Sequence, residues 1–137
     1  MSLLAYLTSP AGLRRVLWAD ALSGTGSAAL HLLFAGSLAS LLGLPAGLLL
    51  ASGAVLLVYV ALAGSLALQV TPSRTALVLL ALGNFAWVAA CLALLFGGLV
   101  SPTPLGQAYI VVQAVAVLVL AELQWMALRR AGTRSLA

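Results

Sequence analysis

The sequence predicts an all-α membrane protein, an antiparallel four-helix transmembrane bundle with both N-terminus and C-terminus in the cytoplasm. Three observations predict it. The 137 residues are 64% hydrophobic and only 6% charged, with a mean hydropathy of +1.23. Four apolar stretches reach the length of about 20 residues that a helix needs to cross the hydrocarbon core. The arginines fall only in alternate gaps between those stretches. A soluble domain carries roughly 25% charged residues, so this chain lacks the side chains to cover a water-facing surface. Its length is that of a single domain, taken here as residues 1–137.

Residues 2–8 come first. The run Ser2-Leu3-Leu4-Ala5-Tyr6-Leu7 is apolar but too short to span, and it is expected to lie on the interface as a short helix. Thr8-Ser9-Pro10 then supplies capping residues and a proline suited to a helix start. No secretory leader is expected, because Met1 to Ser9 carry no basic side chain and the apolar segment behind Arg14-Arg15 is too long for a leader.

The first spanning helix is expected over residues 13–42, ending before Gly43-Leu44-Pro45-Ala46-Gly47. The second covers 48–70 and stops at Thr71-Pro72-Ser73. The third covers 74–96 and stops at Gly97-Gly98, and the fourth follows Ser101-Pro102-Thr103-Pro104 over 105–130. Glycine and proline punctuate each gap as helix breakers do. Strands are excluded as the spanning element, since an open sheet leaves its edges unsatisfied in lipid. Short connections imply that sequence neighbours pack antiparallel. Small residues mark expected contacts, namely Ser23, Ser27, Gly36, Ser40, Gly53, Gly64, Ser65, Gly83, Ala86 and Ala90. Leu32-Leu33-Phe34-Ala35-Gly36 and Leu94-Leu95-Phe96-Gly97-Gly98 form a faint internal repeat, within the range of chance for so leucine-rich a chain.

Orientation follows from Arg14, Arg15, Arg74, Arg129, Arg130 and Arg134, all expected on one side, which the positive-inside rule makes the cytoplasm. Trp18 and Trp125 sit just inward of the arginines as an aromatic belt, and Tyr109 is placed at the opposite interface. The pI near 10.3 therefore reports topology; no continuous basic stripe is present, and nucleic acid is not an expected partner. The expected surroundings are the lipid bilayer of a bacterial inner membrane, crossed several times.

Ionisable groups are costly in hydrocarbon, roughly 2.5–3.5 kcal/mol at a helix centre on insertion scales. The two acids, Asp20 and Glu122, both fall within spans. Each lies ~10 Å inward of its arginine at 1.5 Å per residue. They either build a polar cavity for a cation, proton or head group, or pair with arginines and neighbouring helices. Asp20, Gly24, Ser27 and His31 recur at i, i+4, i+7 and i+11 and so share one helix face. That stripe is either a solute path or a packing face, and packing is the plainer reading. The single histidine and single cysteine, Cys91, exclude an ordinary metal site and an intrachain disulfide. His31 is expected to hydrogen-bond within the bundle, with Gln113 as partner. Asn84 and Trp87, with Tyr59, either line a pocket or pack. Gln113 and Gln124 share one face of the fourth helix while Glu122 points away, so that helix has two polar faces.

No nucleophile–base set, phosphate loop or haem-attachment motif occurs, so neither an enzyme nor a cofactor is expected. Three segments, Leu13 to Asp20, Gly83-Asn84-Phe85-Ala86-Trp87 and Ala121-Glu122-Leu123-Gln124-Trp125, carry a resemblance in plan to small bacterial four-helix integral membrane proteins of uncharacterised function. The layout is similar to that of DoxX-like proteins, with no diagnostic motif shared. It is also similar to that of small multidrug-resistance proteins, whose first-helix acid would correspond to Asp20; the complete arginine bias departs from the dual-topology members. The function expected first is a non-enzymatic accessory or interaction subunit, with a membrane-protein partner or a homo-oligomer. The alternatives are a small oligomeric proton-coupled transporter using Asp20 and Glu122, or a binder of a lipid- or quinone-like ligand. The residues expected to line a ligand or ion cavity are Asp20, Ser27, His31, Asn84, Trp87, Gln113 and Glu122.

Overall fold

The computed structural model describes residues 2–136, with side chains through residue 132, so the Arg134 side chain lies outside the described part. The described residues are helical with no strand. The elements are α1 (Leu3–Leu7), α2 (Pro10–Leu33), α3 (Ala35–Leu42), α4 (Ala46–Leu68), α5 (Arg74–Phe96) and α6 (Pro104–Leu136). Three helices are long and apolar enough to cross a membrane: α4, α5 and the Pro104–Gly132 part of α6. A fourth crossing is counted when α2 and α3, bent by 93°, are taken together.

Local chemistry sets the helix starts. Ser2, Ser9, Ser73 and Thr103 each accept a backbone N–H three residues on, from Ala5, Gly12, Ala76 and Gly106. Pro10 and Pro104 stand at the first helical position, where a missing N–H costs nothing. Gly43 closes α3 at φ +68°, a left-handed conformation that glycine adopts without penalty. A Cβ there would lie 2.9 Å from the Thr103 nitrogen.

The expected continuous helix over 13–42 is corrected. α2 begins three residues earlier, at Pro10, and the chain breaks at Phe34, whose φ −123° and ψ 27° are not helical. No proline causes the break. The Gly36-Ser37 pair follows it at once, and such pairs tolerate sharp kinks. α3 then turns across the end of the bundle. Leu42 and Leu41 offer their carbonyls to the Thr103 N–H at 3.0 Å and the Thr103 hydroxyl at 2.7 Å. The other expected spans shift by only a few residues, apart from α6, which continues to Leu136.

α2 packs mainly on α4, and α5 mainly on α6, while α4 and α5 touch only lightly despite their short link. Along α2 and α4, rising numbers meet falling ones: Arg14 reaches Gln69, Gly24 faces Val60, and His31 reaches Ser52. One apolar cluster, including Leu17, Leu66, Leu80 and Leu128, fills the arginine-bearing end. A second, including Leu42, Leu49, Cys91 and Ile110, fills the α3 end.

Of the small residues expected at contacts, Gly53 and Gly83 are there, against Leu32 and the Tyr59 ring. Gly36 and Gly64 have open space beside them, and Ser23, Ser40, Ser65, Ala86 and Ala90 are exposed. The closest glycine approaches involve turns and ends instead. A Cβ on Gly106 would lie 2.0 Å from the Leu42 carbonyl oxygen, and one on Gly12 would lie 1.9 Å from that of Tyr6.

Polarity is distributed inside-out. Leu22, Val58 and Val112 are 68%, 69% and 67% exposed, whereas Asp20, His31, Asn84 and Gln124 are buried. An apolar exterior over a polar interior suits lipid as the surrounding medium.

Candidate functional site

The buried polar groups form two layers. The first joins α2, α5 and α6 around Asp20. Its Oδ2 accepts from Asn84 Nδ2 at 2.9 Å and from Gln124 Nε2 at 2.6 Å. The Asn84 amide also donates to Gln124 Oε1 at 3.1 Å. An ionised carboxylate only accepts, and two carboxamides are a donor set that matches it. The helical period explains the placement. Asp20 follows Leu17 by three residues and precedes Ala21, both buried, so the core-facing side of α2 carries the acid with it.

The second layer lies nearer α3 and centres on His31. Its Nδ1 is 2.8 Å from Ser52 Oγ and its Nε2 is 2.5 Å from the Tyr109 hydroxyl. The Ser52 hydroxyl donates its one proton to the Leu49 carbonyl at 2.9 Å, so Ser52 accepts from His31. In the tautomer that matches this, the imidazole proton is on Nδ1 and Tyr109 donates to Nε2; the other tautomer reverses both roles. Among the described residues the other ring nitrogen meets the Tyr109 hydroxyl, and no carboxylate stands behind the ring. Beside this layer the Trp87 indole N–H donates to Gln113 Oε1 at 3.3 Å, and Trp87 stacks edge-on against Tyr59 with centroids 6.2 Å apart. The Tyr59 hydroxyl donates to the Gly83 carbonyl at 2.8 Å. His31, Ser52, Trp87, Tyr109 and Gln113 line a small cavity of about 110 Å³ whose other walls are apolar.

The seven residues expected around one cavity are thus divided. Asp20 and Asn84 belong to the first layer; His31, Trp87 and Gln113 belong to the second. Ser27 is half-buried and joins neither, and Glu122 is exposed on the outside of α6. The two acids therefore share no cavity, because α6 places Gln124 inward and Glu122 outward. The expected His31–Gln113 bond is replaced by Ser52 and Tyr109, and Tyr109 lies within the bundle rather than serving only as an interfacial anchor. Asp20 meets carboxamides and no arginine, since Arg14 and Arg15 lie on the exposed side of α2. Sequence reasoning missed Ser52 and left Gln124 off the site. A period-matched Gln113–Gln124 face was the signal for the second.

Of the arginines expected as topology anchors, Arg14 donates to the Gln69 carbonyl at 3.2 Å and Arg74 to the Leu128 carbonyl at 3.1 Å. Arg15 lies over the Tyr6 ring, 5.7 Å from its centroid, and Arg129 and Arg130 are exposed. Among the described residues, no group of three or more His, Cys, Asp or Glu side chains could hold a metal ion. Compared with known proteins, the chain matches no family model, no curated protein and no solved structure.

Proposed function

We propose that this chain is a multi-pass protein of the bacterial inner membrane that acts as a non-enzymatic interaction subunit. In this reading it holds a partner's transmembrane helix against the outer face of α6. α2, α4, α5 and α6 cross the bilayer as an antiparallel bundle, α3 lies along the far interface, and both termini are cytoplasmic. The arginine distribution and the inside-out polarity support that placement.

The observation that carries the functional reading is Glu122. The other acid is enclosed by two donors, but Glu122 lies on an exposed face of a spanning helix, and no hydrogen bond or ion pair joins it to a described side chain. It stands in line with the exposed Val112, Val115 and Val119, at spacings of three and four residues. That 3.5-residue period is the seam that a second helix packs against. A carboxylate in such a seam calls for a cationic neighbour, so the partner is a helix carrying lysine or arginine at the depth of Glu122.

The test uses two leucine-rich transmembrane peptides, one with a single lysine at that depth and one without. Each is reconstituted with the protein in vesicles and followed by energy transfer. The lysine peptide should associate and the all-leucine peptide should not, and Glu122→Gln should lose the difference. Equal association of both peptides, or an unaffected Glu122→Gln, would overturn the reading.

A further inference from the structure

We infer that the arginine-bearing end of the bundle holds a binding site for the phosphate group of an anionic phospholipid. A cavity of about 710 Å³ opens there between α2, the α4–α5 turn and α6. Its size is that of sites for small organic ligands. Arg14, Arg74 and Arg130 all line it, one from each of three helices, and neither acid of the chain does. The remaining wall is largely apolar, with Leu13, Leu66, Val70, Leu77 and Leu128 among its residues.

Two of the three guanidinium groups are already positioned. Arg14 is tied to the carbonyl of Gln69 and Arg74 to that of Leu128, each by one N–H. These partners are neutral, and among the described residues no acid lines the cavity to compensate the positive charge. A guanidinium has five N–H donors in a planar fork, which leaves donors for phosphate oxygens. The bonds also cross between helices, from α2 to the end of α4 and from α5 to α6. An anion seated among the three arginines would therefore bridge the parts of the bundle that pack least on one another, α4 and α5 included.

The apolar wall distinguishes the source of the phosphate. A free inorganic anion has no use for leucine and valine side chains, whereas a phospholipid places its head on the arginines and its acyl chains along the wall. Basic pockets between spanning helices on the cytoplasmic side suit anionic head groups for this reason.

The test is binding of fluorescent phosphatidylglycerol to the delipidated full-length protein in detergent. Unlabelled phosphatidylglycerol, phosphatidylcholine or inorganic phosphate serves as competitor. Phosphatidylglycerol should compete, while the zwitterionic lipid and the free anion should not. Arg130→Gln and Arg14→Gln should each weaken binding about fivefold, and Arg130→Lys should retain most of it. Melting curves of the same samples, with and without phosphatidylglycerol, confirm that each variant is folded. Equal competition by phosphatidylcholine would overturn the charge-based site, and competition by phosphate alone would make the ligand a free anion. Wild-type affinity in Arg130→Gln and Arg14→Gln would remove the arginines from the site.

Discussion

At the scale of single residues, the decisive feature is how the buried acid is satisfied. Asp20 takes both donors on one oxygen, from residues 64 and 104 positions away. Gln124 is fully buried and bonds both of the others, so it is the hub of the layer. Replacing it with leucine keeps the volume roughly constant and removes a donor and an acceptor together. A buried polar group left unpaired costs about 1–3 kcal/mol. Gln124→Leu should lower the stability of the detergent-solubilised protein by about that much, read as an earlier thermal melt, and an unchanged melt would mean that the layer contributes nothing. The polar stripe of α2 was legible in the sequence because helical period alone decides which residues share a face. The partners were not. Asp20 has two arginines close by in sequence, and only the packing shows that they lie on the exposed side of α2 while α5 and α6 supply amides. His31 illustrates the same gap. Gln113 was at a suitable height for it, but Ser52 and Tyr109 are aimed at its two nitrogens.

At the scale of elements, spans built from long apolar runs were readable, and α4 and α5 agree with expectation within a few residues. The break at Phe34 was not readable, because the hydropathy of residues 34–42 continues that of α2 and no proline interrupts it. What the sequence does hold is the Gly36-Ser37 pair and the left-handed Gly43, and both take on meaning once α3 is seen to turn across the bundle. The seat of that turn is Gly106. A methyl group there would meet the Leu42 backbone oxygen at 2.0 Å, and a backbone atom cannot swing aside as a side chain can. Gly106→Ala should therefore push α6 from the end of α3 and destabilise by about 1–3 kcal/mol, as overpacking does. Gly64→Ala is the paired control. Nothing lies within 4 Å of its would-be Cβ, and alanine in a helix interior gains roughly 0.5–1 kcal/mol over glycine. The two substitutions add the same single methyl, so their melting temperatures should move in opposite directions. Both moving down would mean that added volume alone, irrespective of site, is what the bundle resists.

At the scale of the whole molecule, charge asymmetry governs how the bundle sits. The described arginines cluster at the end where α2 begins, α4 meets α5, and α6 passes beyond Leu128, while the α3 end carries no charged residue. In the proposed orientation the Gly43–Gly47 and Gly97–Thr103 connections, which hold no arginine, are the ones translocated, and the segments with Arg14, Arg15 and Arg74 stay behind. If the connections alternate sides, four crossings follow, α2 among them; three crossings would put the two termini on opposite sides. A phosphatase active only outside the cytoplasm, used together with a protease-accessible tag at the N-terminus, separates these cases. Fused after Ala46 or after Gly98 it should be active, and fused after Ser73 or at the C-terminus it should be silent. A fluorescent protein that matures only in the cytoplasm should glow at the C-terminus. A tag at the N-terminus decides the first crossing: on the opposite side from the Ala46 fusion it means that α2 crosses, and on the same side it means that α2 does not. α2 and α3 would then form a broken segment that enters and leaves on one side, and the buried Asp20 layer would have to be approached from there.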